Sequence, residues 1–190
     1  MKRKIILLSI LLLCGSLVKN VNAQAENFRA VRADFGPVIP LGLEGFAIGW
    51  FTAIKYNITD QIAVGIRWEA DAGLSVSSTS ASATGVTSFG LKGDYYFNTN
   101  YPVRPFAGLG INYYATAGGS ASVTGGSAQA GTHVGFMPQV GVSLGHFRLA
   151  LEYNLILGKD QVLVTAGTPT KTGRSFAGID IGFTIGGGQK

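Results

Sequence analysis

The sequence predicts an all-β protein, an eight-stranded antiparallel up-and-down transmembrane β-barrel with short periplasmic turns and longer extracellular loops. Three observations predict it. The chain opens on an export segment, eight later stretches alternate in hydrophobicity with period 2, and charge is confined to one face of those stretches.

The N-terminus has the order of a secretory signal. Lys2, Arg3 and Lys4 form a basic region, Ile5 to Leu13 an apolar run, and Val21-Asn22-Ala23 a small-residue cleavage site. Cleavage after Ala23 leaves a signal peptide at 1–23 and a barrel domain at 24–190. The apolar run is shorter than the about 20 residues that a membrane helix needs, and no other stretch could make one. Cys14 follows a leucine run and is the alternative, a lipid attachment site, but Leu13 stands where a small residue is expected. With cleavage at Ala23 the single cysteine leaves, so the mature chain has no disulfide and no thiol ligand.

The full chain carries 15 Lys and Arg against 10 Asp and Glu. Four of those bases, Lys2, Arg3, Lys4 and Lys19, depart with the signal, leaving the mature chain almost neutral. No basic tract or RNA-binding signature remains, so no nucleic-acid partner is expected. The mature chain is rich in Gly, Ser, Ala and aromatic residues and poor in helix formers, and no stretch of it has an amphipathic helical period.

Alternation places strands at 29–39, 46–58, 62–74, 86–97, 103–115, 134–144, 147–157 and 175–186. In the clearest, Phe147, Leu149, Leu151, Tyr153, Leu155 and Leu157 share one face, and Arg148, Ala150, Glu152 and Asn154 the other. The last repeats this with Ala177, Ile179, Ile181, Phe183 and Ile185 against Gly178, Asp180, Gly182 and Thr184. Each is about 11 to 13 residues, where a tilted membrane strand needs about 9 to 11. Connections alternate in length. Those at Thr59-Asp60-Gln61, Asn98 to Tyr101 and Gly145-His146 are short, those at 75–85, 116–133 and 158–174 are long, and Pro40 to Gly45 is intermediate. Short turns and both termini then face the periplasm, and the loops face outside. Tyr56, Tyr95, Phe97, Phe147 and Phe183 form one aromatic girdle, and Phe46, Tyr113 and Phe136 the other.

Volume decides which face points inward. The apolar faces carry Phe35, Phe46, Ile48, Trp50, Ile54, Trp68, Phe89, Leu91 and Ile111 among many others, while the opposite faces are full of Gly and Ala. Eight strands enclose room only for their own interior side chains, so the large groups face lipid. The inward parity then holds Arg32, Lys55, Arg67, Lys92, Arg104 and Arg148 against Asp34, Glu69, Asp71, Asp94, Glu152 and Asp180. Buried charges must pair, which predicts a cross-strand ionic network centred on Arg67, Glu69, Lys92, Glu152 and Asp180. Pro37, Pro105 and Pro138 fall on the outward parity inside strands, where each must remove a ladder bond or sit at a bulge.

Three strings, PFAGLGINYY at 105–114, FGLKGDYYF at 89–97 and the closing SFAGIDIGFTIGG, resemble small outer-membrane barrel proteins of the OmpA, OmpX and OmpW type, the porin-family barrels. The resemblance covers nearly all of the mature chain and implies the fold and class more than an activity. It implies a Gram-negative outer membrane, with membrane lipid and the insertion machinery as partners. Two departures accompany it. The chain ends on a Gly-rich GGGQK tail after Thr184-Ile185 where such barrels often end on an aromatic residue, and no wall-binding domain is expected downstream.

Chemistry finds little support. His146 is expected in a short turn, and His133, with Thr132 beside it, near a strand start on the inward parity. No His-x-Ser pair exists and no acid adjoins His133, so the chain is read as no enzyme, with no catalytic, cofactor or metal residues. Ser77 to Gly85 and Gly118 to Gly131 are uncharged, small-residue stretches expected to be mobile loops, the surface an extracellular ligand would meet. The leading function is a structural or surface-interaction barrel with a lumen filled by an ionic network of its own side chains. The alternatives are a narrow porin-like or OmpW-like passage for small solutes, and a lipid-modifying barrel enzyme.

Overall fold

The computed structural model describes residues 25, 27–43, 45–97, 102–122, 125–158, 161–164 and 175–187. The signal segment with Cys14, the turn at 98–101, much of the connection at 158–174 and the last three residues lie outside them.

Alternating sequence produces strands because successive side chains leave a pleated backbone on opposite faces. The strands are β1 (Val31–Leu41), β2 (Phe46–Asn57), β3 (Ile62–Val76), β4 (Ser80–Tyr96), β5 (Val103–Ser122), β6 (Gly125–Leu144), β7 (Phe147–Leu157), β8 (Gln161–Val164) and β9 (Phe176–Gly186). Eight of them pair antiparallel in the order β5-β4-β3-β2-β1-β9-β7-β6, and β5 pairs with β6 to close the barrel. The fold is therefore a closed eight-stranded up-and-down barrel. The short β8 pairs with Ala128, Gln129 and Ala130 near the start of β6, beyond the closed wall.

Register sets the barrel's dimensions. Successive partners from Pro40 run through Gly178, Glu152, Gln139, Gly108, Asp94 and Ala63 to Asn57. Asn57 bonds the carbonyl of Ala30, ten residues before the starting point on the same chain segment. A ten-residue stagger over eight strands, at about 3.3 Å per residue and about 4.8 Å between strands, tilts them by roughly 40°. The bore of such a barrel holds side chains and little else.

Two expected loops are strands instead. β4 has 17 residues and β5 and β6 have 20 each, so the stretches expected as loops at 75–85 and 116–133 are almost wholly paired. Only residues 77–79 and 123–124 separate the strands of the two hairpins. Ser80 pairs with Ser122 and Ser122 with Gly125, continuing the ladders to the hairpin ends. The physical reason is that a hairpin satisfies its backbone polar groups across the ladder and needs no large side chains to do so. Period 2 is still present, with Ala81, Ala83 and Gly85 on one face and Ser80, Ser82 and Thr84 on the other. It is invisible to a test that looks for large apolar groups. The short β8 likewise lies within the stretch expected as a loop at 158–174.

The prolines keep the register. Pro37 pairs with Trp50 of β2, while the ladder to β9 skips from Phe35–Phe183 to Val38–Asp180. Pro138 pairs with Leu109 of β5, while the ladder to β7 skips from Phe136–Leu155 to Gln139–Glu152. Both therefore take the lost-bond option without a bulge, each on the side where its missing N–H would have pointed. Pro105 stays paired with Val142, and its carbonyl accepts from Phe97 N at 3.0 Å. At the β6–β7 turn, Gly145 takes φ 61°, the left-handed geometry that a two-residue hairpin requires.

Burial is inverted relative to a water-soluble protein. Phe46, Ile48, Trp50, Ile54, Trp68, Phe89, Leu91, Leu109, Ile111 and Leu151 are exposed on the outer wall, and the charged residues are inside. Tyr56, Tyr95, Phe97 and Phe183 ring the short-turn end of that wall, and Phe46, Tyr113 and Phe136 lie toward the hairpin end, all exposed.

Candidate functional site: the filled lumen

The lumen is built by parity. Even residues of β1, β4, β5, β7 and β9 and odd residues of β2, β3 and β6 point inward, so neighbouring strands bring residues far apart in sequence into contact. All twelve charged residues expected there are buried, from 0 % exposed at Asp34, Arg148 and Asp180 to 5 % at Asp71 and Arg104.

Those charges divide by height. Toward the short turns, Lys55 Nζ bridges Asp34 and Asp94, at 2.5 Å each. Arg32 pairs with Asp34 at 2.9 Å, Arg148 reaches Asp94 at 3.3 Å and Asp34 at 3.5 Å, and Lys92 lies 3.7 Å from Asp94. Toward the hairpins, Arg67 alone serves three carboxylates, bonding Glu69, Glu152 at 2.8 Å and Asp180 at 2.8 Å. Asp71 is buried above them, and its Oδ1 accepts no hydrogen bond. Six bases and six acids balance overall. The short-turn half nevertheless holds five bases and two acids, and the hairpin half one base and four acids.

A neutral residue joins the halves. Gln139 Oε1 accepts from Lys92 and, at 2.6 Å, from Arg148, while its Nε2 donates to Asp180 at 2.6 Å and Glu152 at 3.1 Å. An amide is the group for this position because it accepts at one end and donates at the other, matching bases below and acids above. Asn154 extends the chain, donating to Glu152 at 3.1 Å and accepting from the Tyr114 hydroxyl at 2.7 Å. Thr184 donates to Asp34 at 2.7 Å, and Arg32 donates to the Tyr96 hydroxyl at 2.5 Å.

Each interior arginine also lies over a ring. Arg67 is 4.3 Å from the Phe51 centroid, Arg148 3.8 Å from Phe106, and Arg32 5.3 Å from Tyr96. Arg104 lies between Phe28 at 3.8 Å and Tyr96 at 4.2 Å. A guanidinium can stack flat on a ring while its edge donates to carboxylates in the same plane, which a lysine cannot do. These large groups correct the expectation that the inward faces carry little besides charge and small residues: the rings of Phe51, Tyr96, Phe106 and Tyr114, and the thioether of Met137, are all buried there. They fit because Gly141 and Gly182 face Phe106 and Phe51, where an added Cβ would come within 2.7 Å of each ring.

Apolar clusters lie toward both ends. Val86, Tyr114, Ile156 and Phe176 cluster at the hairpin end with Leu43 packed against them. Ala63, Tyr96, Phe106 and Ala150 cluster at the turn end. Phe28, ahead of β1, is 1 % exposed, and Asn27 tethers this segment to Asp60 through bonds of 3.1 and 2.7 Å. Asn154 is already on the inward face in the sequence, but Gln139, Asn112, Tyr96, Tyr114, Phe51 and Phe106 are not among the residues that the sequence singles out. Parity alone would have found all but Gln139, since each of the others shares its strand face with a charged residue already placed inside, whereas β6 carries no Asp, Glu, Lys or Arg and offers only the inward parity of His133.

The histidines are apart. His133 is buried within β6, opposite Tyr114, with Thr132 on the other face of the strand. His146 sits in the β6–β7 turn, its Nδ1 bonded to the Thr184 carbonyl at 2.9 Å. Among the described residues no group of three or more His, Cys, Asp and Glu side chains is arranged to hold a metal ion.

No protein-family model matches the chain, and no curated protein matches it. Among solved structures, the chain is similar to the N-terminal β-barrel domain of Pseudomonas aeruginosa OprF, at 15 % identity and TM-score 0.44, over 84 % of this chain and 100 % of that one. It is similar to Neisserial surface protein A at 17 % identity and TM-score 0.49, over 81 % and 93 %. It is also similar to Ail, the attachment invasion locus protein of Yersinia pestis, at 9 % identity and TM-score 0.46, over 84 % and 99 %. The likeness is one of fold, and the barrel assignment itself rests on the closed ladders of this chain.

Proposed function

We propose that the chain is an integral barrel of a Gram-negative outer membrane whose lumen is braced by its ionic network, and whose role is structural or a matter of surface contact. The observation that carries this reading is the inverted burial: an apolar outer wall bounded by aromatic residues around a buried, charged interior. Water does not favour such an outer wall, and a bilayer does. In this reading the short turns and the N-terminal segment face the periplasm. The β3–β4 and β5–β6 hairpins stand in the extracellular space, because 20 residues at this tilt rise about 50 Å where the apolar band is about 25 Å tall.

The filled lumen favours bracing over conduction. A passage for solutes would need water to cross both apolar clusters and break ion pairs whose partners would then lie buried and alone, at several kcal/mol each. Planar-bilayer recording on the refolded protein tests this. The expected trace is indistinguishable from empty lipid, and a steady conductance well above that background would replace the braced reading with the passage. Fractionation tests the location: the protein is expected with outer-membrane marker proteins, and recovery in the soluble periplasm would overturn it.

A further inference from the structure

The hairpin half of the lumen sets one guanidinium against four buried acids. Arg67 bonds three of them, Glu69, Glu152 and Asp180. Asp71 is the fourth, and it is 5 % exposed. We propose that Asp71 is kept there as a neutral carboxylic acid that donates a hydrogen bond to Glu69, which makes the hairpin end of the barrel sensitive to alkali.

The first argument is what surrounds Asp71. Its register partners are Gly49 on β2 and Val86 on β4, and Gly73 is the next residue on its own face of β3. None of the three carries a side-chain donor. Asp71 Oδ1 lies over Gly49, where an added Cβ would collide with it, and it accepts no hydrogen bond. Val86 belongs to the apolar cluster with Tyr114, Ile156 and Phe176. A carboxylate placed between such a cluster and three other acids is unfavourable on two counts, desolvation and like charge, and taking up a proton removes both.

The second argument is a contact between two acids. The side chains of Asp71 and Glu69, two residues apart on one face, share a hydrogen bond. Ionised carboxylates only accept, so one of the two must carry a proton. Glu69 already accepts from Arg67 Nε at 2.9 Å, from a second nitrogen of the same guanidinium, and from Asn154 at 3.4 Å. Those bonds stabilise its charged form, and Asp71 has no counterpart to them, so the proton belongs to Asp71. The other titratable groups facing this level are Glu152 on β7 and Asp180 on β9, both bonded to Arg67, with Tyr114 on β5 and His133 on β6. Lys92 on β4 is turned to Gln139 and Asp94 below, and β1 and β2 present the uncharged Val38 and Phe51. Above the ordinary carboxylate range the folded barrel then holds one proton that the unfolded chain has released. Stability therefore falls as pH rises, until Asp71 has ionised.

The test is an NMR pH titration of the refolded full barrel in detergent micelles, with the side-chain carboxyl carbons of Asp and Glu labelled. One Asp carboxyl is expected at the protonated position at neutral pH, and it is expected to be absent from Asp71→Asn. Carboxyls that are all ionised at neutral pH, or a protonated signal that persists in Asp71→Asn, would overturn the proposal. Urea titration supplies the second readout. For wild type, relative to Asp71→Asn, the folding equilibrium constant is expected to fall about tenfold for each pH unit above about pH 4, until Asp71 ionises. Parallel pH profiles of the two proteins would overturn the proposal. His133→Gln is expected to keep the wild-type profile, and its loss there would move the titrating group to His133 and overturn the assignment. Should Asp71→Asn fail to refold, Glu69→Gln decides in its place. Its amide can donate to Asp71, so the protonated Asp signal is expected to titrate at lower pH than in wild type, and an unmoved titration would count against the shared hydrogen bond.

Discussion

Arg67 shows how much of this molecule depends on single side chains. It is the one cation among four buried acids, and Arg67→Gln would leave Glu69, Glu152 and Asp180 facing one another in a site closed to water. Removing one partner of a buried pair costs about 3–5 kcal/mol, so a loss of unfolding free energy of that size is expected from urea titration of the refolded protein in lipid vesicles. Gln139→Leu removes no charge, yet it takes from Lys92 and Arg148 their shared acceptor and from Asp180 and Glu152 one donor each. A loss of about 1–3 kcal/mol is expected in the same assay. Steric demand is equally local. Gly182→Val would push Phe51 off Arg67, and overpacking of this kind costs about 1–3 kcal/mol.

At the scale of elements, one strand contains two regimes. The lower part of β4 carries Phe89, Leu91 and Tyr95 outward, with Leu91 68 % exposed, and its upper part carries Ala81, Ala83 and Gly85. In the proposed membrane setting only the lower part meets hydrocarbon. Leu91→Arg is therefore expected to destabilise the barrel by about 2–4 kcal/mol, and Ala83→Lys by less than about 1 kcal/mol, in matched unfolding titrations. The same division makes the β5–β6 extension separable. Ala117 and Ala130 are register partners, so an Asn-Gly turn joining them would shorten the hairpin without changing the register below it. The shortened protein is expected to refold with an unchanged urea midpoint. A large loss would mean that the extension helps to hold the wall.

The whole molecule is a closed ladder around a charged interior, and its two ends differ in sign. Antiparallel closure leaves no free edge along the wall, so the polar backbone is satisfied without water. The interior must then be satisfied by itself. Twelve charges with their amide, hydroxyl and ring partners do most of this, with a few buried atoms such as Asp71 Oδ1 left over. Mixing the two halves tests whether the separation of sign matters as well as the balance. Exchanging Lys92 and Asp180 by Lys92→Asp with Asp180→Lys preserves total charge but places an acid beside Asp94 and a base beside Arg67. A loss larger than that of either single change is excluded if only balance counts, and is expected if each charge answers to its own neighbours.

By itself the sequence determined the class of fold, the number of wall-forming strands and the sorting of residues between two faces, because period 2 is a local property that any strand expresses along its own length. Arg148, Glu152 and Asn154 declare their common face without reference to any other strand. The tertiary structure alone decided which charge meets which, that bases gather at one end and acids at the other, and that Gln139 joins them. Those relations depend on register, and a ten-residue stagger accumulated over eight ladders is not written in any one of them. The hairpin extensions were missed for a related reason: Ser, Ala, Gly and Thr carry no burial signal. Their pairing comes from a partner strand continuing alongside, which only the folded chain supplies.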